Sequence, residues 1–465
     1  MADVREFGAK GDGKNDDTAA IEHAVREGDG RLQFPPGTYV LSKTIDVPLA
    51  SAGRFGIEGS GGTAKLKMTA AGPALRLRGT HAKTALPEDV ADGVWKRERM
   101  PTIQDLEIEG AHPEADGILL EGTFQATLSG VLLRKLRHGV RVQGRARNLL
   151  ITHCQIFDLS GVGVSFDELN LHQAIISASH ISYCRVAGIR IRGCEIRNLQ
   201  ITGNDIEYNF AADQPDCADI LIDCRAKGSS VREGTIVSNT IQAKYSPGGA
   251  NVRMLGSDSA ANHQAGMFTI SGNLIGSQDT NVHLDGCRGV VVADNVIYSG
   301  HRRNLLIERS RNCVISANSF DHNPDYGDKE LATGIRLVDS RDVQLSACSI
   351  QDAQAGKNTV AGAVANEKSA LLEIERCRRI NVTGCQFLEG TPHGVRVESS
   401  SDVAFTGCMF ADAREPRGTQ SHLKWSGEGR GNFVSGCRIG SAAGKPLDAA
   451  ESAGVTTTGN LIDGA

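Results

Sequence analysis

Ile201-Thr202-Gly203-Asn204-Asp205-Ile206, set beside Val290-Val291-Val292-Ala293-Asp294-Asn295-Val296-Ile297, carries one signature twice: an asparagine just beyond a short apolar run, with a second apolar residue two places on. The signature returns at Asn239, Asn273 and Asn318. Cys348, Cys385, Cys408 and Cys437 then take the same slot, Asn460 resumes it, and Cys154 and Ser179 hold it upstream. Successive intervals run from 22 to 37 residues, so one position is kept while the length between varies. A parallel β-helix behaves this way, because each coil stacks on its neighbours and insertions fall in the turns. Asparagines stacked inside such a coil can bond to one another and to turn backbone, which permits a polar residue in the interior.

A second strand gives the register. Its inward residues alternate with period two: Ile189/Ile191, Ile220/Ile222, Val252/Met254, Val282/Leu284, Leu305/Ile307, Ile335/Leu337, Leu372/Ile374 and Val395/Val397. From the first of a pair to the next ladder residue is 13 positions at 282–295, 305–318, 335–348, 372–385 and 395–408. The pattern predicts an all-β, single-stranded parallel β-helix of about a dozen coils in one domain over 1–465, with coils from about 57 to 462. Residues 1–56 form the N-terminal cap and first strands. Asp17-Thr18 opens a short helix with Ile21, Ala24 and Val25 on one face, which closes that end. Ser441–Thr458 loses the pattern and reads as a loop-like C-terminal cover.

Composition agrees. Fifty-four glycines and 5% aromatics suit many short strands and turns. A net charge of −5 argues against a nucleic-acid partner or an anionic membrane, and no apolar run approaches the ~18 residues a bilayer requires. Met-Ala-Asp-Val at the start is no signal peptide, which leaves a cytoplasmic protein and one shorn of a leader equally open. The twelve cysteines fall mostly at two equivalent places in the repeat and read as stacked small hydrophobes. There is no CxxC and no cluster of ligand spacing, so neither a metal nor another cofactor is expected.

Phe7-Gly8-Ala9-Lys10-Gly11-Asp12-Gly13-Lys14-Asn15-Asp16-Asp17-Thr18, followed by Phe34-Pro35-Pro36-Gly37-Thr38-Tyr39, resembles the N-terminal signature of the pectate-lyase superfamily. That group includes polygalacturonases, rhamnogalacturonases, exo-acting glucanases, alginate epimerases and phage tailspikes. The resemblance implies a right-handed β-helix, carbohydrate chemistry, a poly- or oligosaccharide partner and, as in related proteins, a homotrimer. Asp16 and Asp17 look like a catalytic pair but read better as turn and helix cap. The polygalacturonase motifs Asn-Thr-Asp, Gly-His-Gly and Arg-Ile-Lys are missing, with only Ile335-Arg336-Leu337-Val338 echoing the last. Cys217-Ala218 replaces the aspartate pair, and the Asp-Pro-His of alginate epimerases is absent.

The resemblance also implies that substrate lies along the outer face of each coil's first strand. Residues alternating with the inward pairs predict that face. Its candidate catalytic groups are Asp223, Asp285 and Glu308, with His283 on the same face; Glu375 and Glu398 follow further on and read as solubilising charge. Asp219, Asn251, Arg253, Asn281, Asn304 and Arg336 are expected to bind sugar, and Tyr208 and Tyr326 to stack on its rings. Asp285 and Glu308 are on adjacent coils, about 4.8 Å apart, which suits a retaining glycosidase. Asp223 and Asp285, two coils apart, suit inversion instead. The leading expectation is a glycoside hydrolase or glycosyl-transferring relative. A uronate lyase or epimerase drawing on His283, Tyr326, Arg253 and Arg336 is the alternative, and a tailspike-like binding protein a third.

Overall fold

The computed structural model describes residues 2–83, 86–211, 213–214, 217–257, 264–323, 325, 334–351 and 370–463. Its strands pair in parallel and form two compact units, one of residues 1–211 with 218–235 and one of 212–217 with 236–465.

In the first unit the coil Ala187–Arg192, Glu195–Thr202, Asp205–Glu207 shows the pattern. Three strands run round a coil with one-turn corners between them, and each strand pairs with its counterpart one coil earlier. Thus Val164 lies opposite Ile189, Ile176 opposite Ile201, and Ile181 opposite Ile206. The helix α1, Thr18–Glu27, buries Thr18, Ile21, Ala24 and Val25. Asp17 precedes the first turn without a side-chain cap bond, and Asp16 accepts the Thr18 N–H at 3.0 Å. Asp17 is 1% exposed and takes backbone N–H groups from Lys10, Gly11 and Val40. The aspartate pair therefore ties the start of the chain together, but Asp17 does so by binding the preceding loop and a neighbouring strand and not, as expected, by capping the helix.

In the second unit Thr280–Asp285, Arg288–Ala293 and Val296–Tyr298 make one coil, and Arg303–Glu308, Arg311–Ser316 and Ser319–Asp321 the next. The inward pairs of both units are at most 1% exposed. Val282 opposes Leu305 and Val292 opposes Ile315, which is the register the 13-residue offset requires.

The ladder is a chain of hydrogen bonds. The side-chain oxygen of a rung accepts the backbone N–H of the rung before it: Ser179 N–H donates to Asn204 Oδ1, Asn239 N–H to Asn273 Oδ1, Asn273 N–H to Asn295 Oδ1 and Asn295 N–H to Asn318 Oδ1, at 2.9–3.1 Å. Each amide also caps a strand carbonyl, as Asn295 does for Ile270 and Asn318 for Val292. The second cysteine position is a ladder too. Cys287 N–H donates to Ser310 Oγ, Ser310 N–H to Ser340 Oγ, and Cys377 N–H to Ser400 Oγ. All twelve cysteines are buried free thiols.

Two expectations need correcting. Residues 441–458 are no loop-like cover, since Val455–Thr458 pairs in register with Asn432–Ser435 and Leu447–Ala449 with Leu423–Trp425. Asp219, Asn251, Asn281 and Asn304 do not face outward either. Each is 0% exposed. Strict alternation presumes a straight strand, and at this point the chain is still rounding the corner, so two consecutive residues point inward. Asn281 Nδ2 donates to Tyr298 O and Asn304 Oδ1, both at 2.7 Å, while Asn304 Oδ1 also accepts from Gly300 N. Asn251 reaches Ile241 O, and Asp219 accepts from Asn209. These side chains brace the corner.

Candidate active site

The second unit brings together His283, Asp285 and Glu308. Period-two alternation on Thr280–Asp285 sends His283 and Asp285 to the outer face, and pairing with the next coil sets Glu308 opposite Asp285. One ligand atom from each of the three lies within 4.8 Å of the others, and among the described residues no other trio of His, Cys, Asp or Glu does this.

The hydrogen bonds order the site. Arg253 Nε–H donates to His283 Nδ1 at 3.2 Å. That nitrogen must therefore accept, so the other ring nitrogen, Nε2, carries the proton and donates it to Glu308 Oε2 at 2.9 Å. Asp285 is 8% exposed. Its Oδ2 accepts from Arg309 at 2.5 Å, while its Oδ1 is buried without a hydrogen-bond partner.

These surroundings pull the two carboxyl groups in opposite directions. Burial pushes Asp285 above the usual carboxylate range, against the pull of the Arg309 guanidinium. The His283 N–H holds Glu308 below it, outweighing the burial that opposes this. The two shifts favour Asp285 over Glu308 as the group that keeps a proton, which is the division of labour an acid–base pair needs.

Several of the other expected residues have close partners of their own. Asp223, in the first unit, is held by Arg225 through bonds of 2.9 and 2.8 Å, and the pairing with Arg225 keeps it ionised below its ordinary value despite burial. Arg336, on the coil after Glu308, donates to Glu375 at 2.7 Å and lies 3.8 Å from Glu373, and its charge also helps to lower Glu308. Arg253 lies beside His283, to which its Nε–H donates. Tyr208 stacks on Tyr183, with ring centroids 5.4 Å apart. Tyr326 lies outside the described residues.

Two groups escaped the sequence reading. Arg309 follows Glu308 at the corner, where strand periodicity gives no direction. Tyr183 stands 25 residues before Tyr208, the interval that separates Ser179 from Asn204, so the ladder spacing contained the signal. The first unit also has a groove of about 770 Å³ lined by Glu121, His138, Arg141, Asp167, Arg190 and Arg192. Its charges are largely satisfied internally: Asp116 binds Arg137 and Arg141, and Asp167 binds Arg190. Burial pushes His138 down to about 4, and its Nδ1 accepts from Val162 N.

Three family models match the sequence. Residues 1–73 match rhamnogalacturonase A/epimerase, pectate lyase-like; residues 91–253 match a right-handed β-helix region; and residues 222–433 match the periplasmic copper-binding protein NosD. A probable glucan endo-1,3-β-glucosidase of Arthroderma benhamiae is 47% identical over 9% of this chain and 6% of its own. The chain spans only 6% and 4% of the lengths of the two curated relatives it matches first. A mannuronan C-5 epimerase module of Azotobacter vinelandii is similar over 100% of both chains, at 13% identity and a TM-score of 0.39. The tailspike protein gp49 of Pseudomonas phage LKA1 is similar over 96% of this chain and 84% of its own, at 13% identity and a TM-score of 0.48.

Proposed function

Since the chain belongs to the pectate-lyase-like superfamily of right-handed β-helices, we propose that it is a carbohydrate-active enzyme, a glycoside hydrolase that works through Asp285 and Glu308. The observation that carries this reading is a pair of carboxyl groups facing each other on adjacent coils, whose surroundings shift them in opposite directions. Ligand oxygens within 4.8 Å favour retention, for which carboxyl groups lie about 5 Å apart.

In this mechanism Asp285 gives its proton to the glycosidic oxygen as the bond to the anomeric carbon breaks. Glu308, ionised and oriented by His283, attacks that carbon and forms a glycosyl ester. Asp285, now a carboxylate, takes a proton from water, and the water oxygen displaces Glu308 from the sugar. Arg253 keeps the His283 proton on the nitrogen that faces Glu308.

The pH dependence follows. Activity needs Glu308 ionised and Asp285 protonated, so its acid limb belongs to Glu308 and its alkaline limb to Asp285. We expect a bell-shaped kcat/KM with its maximum on the acid side of neutrality, measured from about pH 3 to about pH 8. A rate that stays level into the alkaline range would remove Asp285 from the role of acid.

A uronate lyase is the second reading, favoured by one observation: Arg253, a cation that could face a uronate carboxylate, touches His283. One assay separates the two. Incubation with polygalacturonate, alginate and a soluble β-1,3-glucan should yield new reducing ends without the ultraviolet absorbance of an unsaturated product. Absorbance rising in step with chain scission would replace hydrolysis by elimination.

The copper in the name of one matched family prompts a test of donor sets. Cuprous ion prefers thiolate or thioether sulfur, but the cysteines are buried thiols within the coils. The His283 trio offers one imidazole and two carboxylates, with both ring nitrogens already bonded and Arg309 on Asp285. That set does not fit cuprous copper, and no step is assigned to a metal.

A further inference from the structure

In the first unit Lys135, Asp158, Tyr183 and Tyr208 occupy one register position at the far end of the third strand on successive coils. Strand register aligns them, since Arg134 opposes Phe157, Phe157 opposes Ser182, and Ser182 opposes Glu207. All four have φ between 53° and 58°. That left-handed conformation suits asparagine, aspartate and glycine, and is unfavourable for a bulky ring. Two tyrosines in succession there are not explained by the needs of that position.

Nor do they serve the core. Tyr183 is 54% exposed. The rings lie almost parallel, 5° apart, so they stack along the direction in which coils succeed one another. Tyr208 covers one face of Tyr183. Towards the other comes Asp158, whose side chain is short and exposed, followed by the exposed Lys135. The result is an aromatic face open to solvent, with an acceptor and a donor beyond it.

We propose that this column is a glycan-anchoring subsite, separate from the carboxylate pair, in which one pyranose ring of the polymer lies on the open face of Tyr183. The C–H face of the sugar covers the ring, Asp158 accepts from its hydroxyls, and Lys135 donates to them. Tyr208 is a positioning residue that holds Tyr183 in place. The proposal rests on the carbohydrate reading given above but not on the identity of the catalytic groups.

The test uses the full chain in native gels containing polygalacturonate, alginate or a soluble β-1,3-glucan. One of these should retard the wild-type protein. Tyr183→Ala should weaken that binding about tenfold, Tyr208→Ala by less, and Tyr183→Phe by no more than about twofold. Initial rates on short oligosaccharides should be unchanged in Tyr183→Ala. Equal retardation of Tyr183→Ala and wild type, or no retardation by any polymer, overturns the subsite. Retardation that depends on Tyr183 without release of reducing ends keeps the subsite and rejects the hydrolase; release without retardation does the reverse.

Discussion

Asp285→Asn is expected to lower kcat/KM about a thousandfold while leaving the melting temperature at or above that of the wild type. The loss in rate arises because asparagine has no proton of suitable acidity to give the leaving oxygen. The stability follows from the direction of the shift. Asp285 has a higher pKa folded than unfolded, so the stability it contributes is fully present below the unfolded value and is lost as pH rises through the folded one. At neutral pH its buried carboxylate strains the site, and a neutral amide of the same shape removes that strain at the cost of the contact with Arg309. Glu308 is the opposite case. Its pKa is depressed, so its contribution is present above the unfolded value and is lost as pH falls through the folded one. Glu308→Gln should therefore abolish activity and also reduce the melting temperature slightly at neutral pH. Steady-state rates and thermal melts of both variants check this. Wild-type rates in Asp285→Asn would end the assignment, and a large drop in its melting temperature would make the residue structural.

Asn295→Leu is expected to destabilise the fold by about 3–5 kcal/mol, the largest effect available outside the proposed site. Asn295 is 1% exposed and sits in the middle of the amide ladder. Its oxygen accepts from the N–H and the side-chain amide of Asn273, and its amide donates to Ile270 O and Asn318 Oδ1. Leucine leaves a buried N–H and a buried carbonyl unpaired, each at about 1–3 kcal/mol, and overfills a narrow corner. Asn295→Cys should cost less, because the same slot already holds cysteine at 348, 385, 408 and 437. Urea unfolding of the three proteins measures the order. A shift for Asn295→Leu no larger than a surface substitution, about 0.5 kcal/mol, would mean that the ladder does not hold the coils together.

The fold was legible because a solenoid repeats its constraints. Every coil must bury two residues of its first strand and fill one corner, so Val282/Leu284 and Asn295 recur as Leu305/Ile307 and Asn318. The same register correctly placed Asp285 next to Glu308, with His283 on the same face. It misplaced Asn281 and Asn304, because periodicity describes straight strands and those residues belong to a bend. It could not find Arg309, whose contact with Asp285 depends on how a long side chain folds back. Nor could it distinguish Asp223 from Asp285: Arg225 binds both oxygens of the first, whereas Arg309 binds one oxygen of the second and leaves the other buried without a hydrogen bond.

The change from asparagine to cysteine along the ladder also sets a gradient of cohesion within the second unit. Between Asn239 and Asn318 each amide fastens two coils through several bonds near 3 Å. Farther on the thiols make longer contacts: Cys348 Sγ is 3.8 Å from Ile315 O, and Cys408 N is 3.4 Å from Cys437 Sγ. Thiols are weak partners, so these coils are held chiefly by packing. Backbone amides there should open by local fluctuation at a lower free energy than those behind the asparagines. The coils carrying Asp285 and Glu308 thus lie in the better-fastened stretch, which suits a pair of groups whose spacing must not drift.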